Sequence, residues 1–136
     1  MATFWLSGDA TLTAAAVTRQ PGIQPAWAHE EGDRVSSRSR AICDSSGWGL
    51  CSSAGIEAGT ELGEQLHRLL AVLEPVTARL WDLVHAGYAA NWFCFIASHA
   101  TGHAAELDRQ ALRRLLALPG DLWLDVCGDQ VDREDC

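Results

Sequence analysis

ELGEQLHRLLAVLEPVTARLWDLVHA, residues 61–86, is the longest uninterrupted helical pattern in the chain, and everything else has to be arranged around it. Leu62, Leu66, Leu69, Leu70, Leu73, Val76, Leu80 and Val84 recur at steps of three and four, which lines them along one side of a helix. Glu64, Arg68, Glu74 and Arg79 fall elsewhere, so the apolar stripe must be buried against a partner. Pro75 has no N–H to donate to Ala71, so the run either kinks there or divides into two abutting helices with Pro75 opening the second. Thr60 is placed to cap its start, and Gly87 to end it. The flanking segments are short β-type runs, which makes a sheet covered by helices the packing solution.

Downstream, Tyr88 to Ala97 is dense in aromatic and apolar residues without Gly or Pro, and reads as a strand. Ser98 to Glu106 reads as a loop. Asp108 then caps an amphipathic helix from Arg109 to Leu118, with Leu112, Leu115 and Leu116 expected inward, and Pro119-Gly120 terminates it. Asp121 to Cys127 alternates, with Leu122, Leu124 and Val126 on one face and Trp123 and Asp125 on the other. That is the pattern of a half-buried last strand. Residues 128–136 form an acidic tail.

Upstream, Trp48 to Cys51 is a short apolar run, and Asp44-Ser45-Ser46-Gly47 before it is hairpin chemistry that would pair it with Ala41 to Cys43. The polar stretch 29–40 is expected to be a flexible loop, held against the body by Trp27 and Trp48 on either side of it. Ile23 to Trp27 is an extended connection because of Pro25. Thr13 caps a helix from Ala14 to Gln20, and Thr3 to Ser7 is the first strand. The order is therefore strand, helix, two strands, long helix, strand, helix, strand. Its first six elements predict an α+β fold, a ferredoxin-like βαββαβ sandwich with an appended helix and strand, helices on one face of a largely antiparallel sheet.

At 136 residues and 48% hydrophobic composition, the chain suits a single domain, 1–136, with a proper core. A net charge of −8 repels a phosphate backbone, and all ten basic residues are Arg without a cluster, so no nucleic acid is expected as a partner. No stretch approaches the roughly 18 to 20 apolar residues of a membrane span, and no leader is apparent, so no membrane association and a cytoplasmic location are expected. Five cysteines without CxxC spacing argue against a zinc knuckle or a disulfide framework, and most should behave as small buried apolar residues.

Several of these pieces, taken in order, resemble a known family. Ser7-Gly8-Asp9 closes the first strand, and Gly22-Ile23-Gln24-Pro25 and Trp27 follow the short helix. Ser46-Gly47-Trp48-Gly49-Leu50, Leu73-Glu74-Pro75 and Leu112-Arg113-Arg114-Leu115 complete the series. From Thr3 to Cys127 the chain is similar to bacterial proteins of the family called domain of unknown function 4279, departing from them at Thr13-Ala14, where an acidic residue and a proline are common. The resemblance implies a fold and no reaction.

Candidate chemistry is sparse. His99 and His103 have the four-residue spacing of a shared metal ligand pair, but Ala100-Thr101-Gly102 is poor helix sequence, and no metal is expected. Cys43 and Cys51 flank the proposed hairpin and could approach each other there, with buried reduced thiols the favoured reading. Ser46-Gly47-Trp48 lacks the glycine pattern of a nucleophile elbow. Asp9 after Gly8 is a turn residue before it is a catalytic acid, and His29, Glu30, Glu31 and Asp33 form a charged run of the kind usually solvated. No catalytic residue and no cofactor is assigned.

Alternation supplies the remaining candidate. If Phe4, Leu6, Trp92, Cys94, Ile96, Leu122, Leu124 and Val126 face the helices, then Trp5, Phe93, Phe95 and Trp123 face the other way, among Thr3, Ser7, Asn91 and Asp125. Such a face is expected to bind a protein partner or form a homodimer, the alternative being that a loop such as His29 to Arg40 folds across it. The function expected is a non-catalytic protein-binding module of immunity or inhibitor type, its acidity suited to a basic partner. The alternatives are a small-molecule-binding domain with an aromatic cleft, and an enzyme.

Overall fold

The elements run β1 (Ala2–Gly8), α1 (Ala14–Arg19), β2 (Trp27–His29), β3 (Ser46–Cys51), α2 (Leu62–Leu73), α3 (Thr77–Ala86), β4 (Ala89–Ser98), α4 (Arg109–Ala117) and β5 (Asp121–Gly128). The structure is a computed structural model and describes residues 1–52, 61–98 and 106–128. The fold is mixed α+β around one five-stranded sheet, ordered β2-β3-β1-β4-β5. The pairings β2–β3, β3–β1 and β1–β4 are antiparallel, and β4–β5 is parallel, as a strand reached through the α4 crossover allows.

Period-two geometry decides what the sheet buries. Phe4 and Leu6 of β1, Trp48 of β3, and Trp92 and Cys94 of β4 are fully enclosed. They meet Val17 of α1, Leu66, Leu70 and Leu73 of α2, and Leu80 of α3 in one continuous core. The two buried indoles each satisfy their N–H: Trp48 Nε1 donates to Thr18 Oγ1 at 3.1 Å and Trp92 Nε1 to the Pro119 carbonyl at 3.1 Å. Burial pushes the Cys94 thiol up to about 11.

The long helical run divides at its proline. Glu74–Val76 is a single 3-10 turn with Pro75 in its first positions, where the missing N–H costs nothing. Thr77 Oγ1 donates to the Glu74 carbonyl at 2.7 Å and steadies the junction. Gly87, at φ 122°, ends α3 and donates to the Leu83 and Val84 carbonyls. Thr60 lies outside the described residues, and Glu61 at the cap position of α2 makes no side-chain capping bond. Thr13 and Asp108 do cap α1 and α4, accepting from Ala16 N and Ala111 N.

Four expectations need correction. The strand beside β3 is Trp27–His29, not Ala41–Cys43, whose only ladder contact is an isolated bridge between Ile42 and Arg34. The cause lies in β3 itself: Gly47 and Gly49 leave bare backbone over which large rings fit, and Trp27 and His29 have them. Trp27 is accordingly exposed at the sheet margin, while Trp48 is core. In α4, Leu112 and Leu116 face solvent. The helix sits on α2 along Ala111, Arg114, Leu115 and Leu118, an i, i+3, i+4, i+7 line that turns both leucines away. β5 is an edge strand exposed on both faces rather than half-buried, because α4 covers α2 instead of it.

Candidate functional site

Register brings one set of side chains together on the face opposite the core. Trp27 pairs with Gly49, Gly49 with Trp5, Trp5 with Asn91 and Asn91 with Asp121, so these five form one row across all five strands. Cys51, Thr3, Phe93 and Trp123 form the next row. Beyond it Phe95 pairs with Asp125, and on the opposite side His29, Gly47, Ser7 and Ala89 align. The four aromatic residues singled out by alternation, Trp5, Phe93, Phe95 and Trp123, therefore share this face. Trp5 and Phe93 rings are 6.4 Å apart at 55°, a tilted pair that half-buries both, and Trp123 stands exposed.

A fifth and sixth ring extend the face, and sequence reading missed them. A Cβ on Gly49 would lie 2.3 Å from Trp27 Cε2, and one on Gly47 2.4 Å from His29 Cε1, so both rings lie directly on the backbone of β3. The two rings stack on each other at 5.7 Å and 11°. The available signal was Gly-Trp-Gly: glycines two apart in a strand put the central side chain inside and leave no side chain outside. The backbones of Trp27 and Trp5, two strand spacings apart, are thus roughly 10 Å from each other, and the Trp27 ring fills the space over the glycine between them.

The acidic and basic side chains of the five strands have one sign. They are two carboxylates, Asp121 and Asp125, both exposed, with no arginine; the N-terminal ammonium donates to the Phe95 carbonyl at 2.9 Å at the margin of the face.

Other candidates resolve into structural roles. Asp9 Oδ1 accepts from Thr11 N, Thr11 Oγ1 and Leu12 N at 2.7 to 2.9 Å, an Asx turn. The Thr11 hydroxyl first, and then the two backbone donors, hold its carboxyl below the usual range. Glu30 Oε1 accepts from Ala15 N at 2.9 Å in the first turn of α1, and Asp33 Oδ2 from Glu30 N at 2.8 Å. Cys51 sits opposite Thr3, and with Ala41–Cys43 displaced from β3 the hairpin that would have joined it to Cys43 does not form. His99 and His103 lie outside the described residues. Among the described residues no group of three His, Cys, Asp or Glu is placed to hold a metal ion.

One cavity of about 140 Å³ lies between α2 and α4, lined by Gly63, His67, Glu106, Asp108 and Arg114 among others. Its cation is already engaged: the Arg114 guanidinium binds the Glu74 carboxylate, with Nε 3.1 Å from both oxygens, and Nη1 lies 2.6 Å from His67 Nδ1. The Arg114 hydrogen bond holds the Glu74 carboxyl below its ordinary range. The space is well under the roughly 300–1,000 Å³ of ordinary ligand pockets. Among the described residues no helix is long and apolar enough to cross a membrane.

No curated protein and no solved structure matches the chain. Family comparison does give a match, to Domain of unknown function (DUF4279) over residues 1–128, and the chain belongs to that family.

Proposed function

We propose that this protein is a non-catalytic protein-binding module of immunity or inhibitor type, and that its aromatic sheet face receives a basic segment of its partner. The observation that carries the reading is the composition of that face: Trp27, Trp5, Phe93, Phe95 and Trp123 with Asp121 and Asp125, and no arginine on any strand. Indole and phenyl faces attract guanidinium and ammonium groups, and carboxylates beside them add charge complementarity. A net charge of −8 steers the same kind of partner from a distance. The architecture that presents the face is, on this reading, the ferredoxin-like arrangement of β1 to β4 with helices on the far side. The strand order β2-β3-β1-β4 and its three antiparallel pairings support it, as does a core built from one set of alternating residues.

The test is a tryptophan-fluorescence titration with an arginine-rich peptide and, in parallel, a glutamate-rich one. The basic peptide should bind with an affinity that falls with salt, and the acidic one should not bind. Changing Trp5 and Trp123 together to Ser removes two cation–π partners worth about 0.5–1 kcal/mol each at exposed sites, so binding should weaken roughly five- to thirtyfold. Far-UV circular dichroism should be unchanged. Equal binding by the double variant, or none by the parent protein, refutes the assignment.

A further inference from the structure

Among the described residues, β5 is the one long strand whose outer edge has no neighbour, and from Asp121 to Val126 it is bare on both faces as well. Leu122, Leu124 and Val126 on one side are 40%, 54% and 62% exposed, and Trp123 on the other is 61% exposed. β4 is its only substantial contact. Leu112 and Leu116 of α4, the helix leading into it, are also uncovered. An eight-residue apolar edge of this kind is a template for another strand, and natural proteins blunt such edges with lysine, proline or a bulge. Asp121–Gly128 has no lysine, proline or bulge, and its two charges, Asp121 and Asp125, both lie on one face and leave the Leu122, Leu124 and Val126 face uncharged.

We propose that the occupant is a second copy of the chain, its β5 paired antiparallel with the first about a two-fold axis through Leu124. A two-fold axis perpendicular to the sheet keeps each face on its own side, so only registers that join residues of like parity are open. Centring on Trp123 sets Asp121 against Asp125 of the other copy, and centring on Asp125 sets that carboxylate against itself. Like charges directly opposite are destabilising. Centring on Leu124 avoids both: Leu122 meets Val126, Leu124 meets Leu124, and Trp123 meets Asp125. Of the three registers that engage the middle of the strand, that one alone sets no like charges opposite each other. The uncovered apolar surface of β5 and α4 is on the order of several hundred Å², the scale of the roughly 800 Å² per partner of a standard interface. The seam runs along the edge of the sheet and sets Trp123 of one copy beside Asp125 of the other on the aromatic face, so the basic partner is tested separately, on the Leu124 variants.

Sedimentation velocity of the full chain over a range of concentrations reads the association directly. The parent protein should dimerise reversibly. Leu124→Glu and Leu124→Lys each place like charges face to face on the axis and should weaken dimerisation by about tenfold or more, with far-UV circular dichroism unchanged because Leu124 contributes nothing to the core. Mixing the two variants in equal amounts pairs Glu with Lys and should restore the dimer, which a residue away from the axis would not do. A parent protein monomeric at every concentration, a dimer indifferent to both variants, or a mixture that stays monomeric overturns the seam. Titrating either variant with the arginine-rich peptide reads the aromatic face independently.

Discussion

Replacing Gly49 with Ala tests the ring-on-backbone contact that defines the margin of the aromatic face. Two effects of opposite sign compete. In a strand, Gly→Ala normally stabilises by roughly 0.5–1 kcal/mol because the unfolded chain loses freedom. Here the new Cβ would lie 2.3, 2.4 and 2.6 Å from Cε2, Cζ2 and Nε1 of Trp27, where carbon contacts settle near 3.5–4.0 Å. The indole has to move by more than 1 Å. Because Trp27 is exposed at the margin, it can swing outward rather than strain the core, which keeps the cost near the low end of the 1–3 kcal/mol typical of overpacking. Gly49→Ala should therefore destabilise by about 0.5–2 kcal/mol. In a Trp27→Ala background the obstacle is gone, and the same substitution should be neutral or stabilising by about 0.5 kcal/mol. Urea denaturation followed by circular dichroism on the four proteins of the cycle should give a coupling of about 1 kcal/mol or more between the two sites. An equal loss from Gly49→Ala with and without Trp27 refutes the reasoning, since the clash would then be with something other than the indole.

Leu66→Ala and Leu73→Ala each empty a fully enclosed site and should cost about 2–5 kcal/mol in the same assay. Cys94, with its thiol raised to about 11, should resist an aromatic disulfide reagent at pH 8 until the protein is unfolded; prompt reaction in the folded state would contradict its burial. The Glu74 carboxyl is held below its ordinary 4.5 by Arg114, so it contributes stability above that pH and loses it as pH falls through the depressed value. Melting temperature should thus fall less steeply below about pH 4.5 in Glu74→Gln than in the parent protein, and parallel curves would show the pair to be energetically idle.

Local signals fixed by one or two residues were legible in the sequence. Thr13, Asp108, Pro75 and Gly87 set helix ends through backbone donors and dihedral limits that depend on nothing distant. Alternation likewise grouped Trp5, Phe93, Phe95 and Trp123 on one face, since side-chain direction in a strand is a local property. What failed depended on partners. Ala41–Cys43 has as good a strand pattern as Trp27–His29, and the choice between them rests on which side chains lie flat over Gly47 and Gly49. The orientation of α4 was equally hidden: Leu112 and Leu116 fit an inward stripe as well as Ala111 and Leu118 do. An ion pair from Arg114 to Glu74, forty residues away, accompanies the other choice.

The parallel attachment of β5 has a consequence for how the protein opens. Apart from Leu115 and Leu118, the buried apolar core comes from residues up to Cys94, so most of it survives when β5 leaves. β5 is held by its ladder to β4 and, at its root, by the hydrogen bond from Trp92 Nε1 to Pro119. Local opening free energies track buried apolar surface, of which β5 has little, so it should detach as a unit below the global unfolding free energy. Amide exchange in Asp121–Gly128 should run through this partial opening, which denaturant accelerates only weakly, while β1 exchanges through full unfolding. Each such excursion bares a second edge, that of β4, for as long as it lasts.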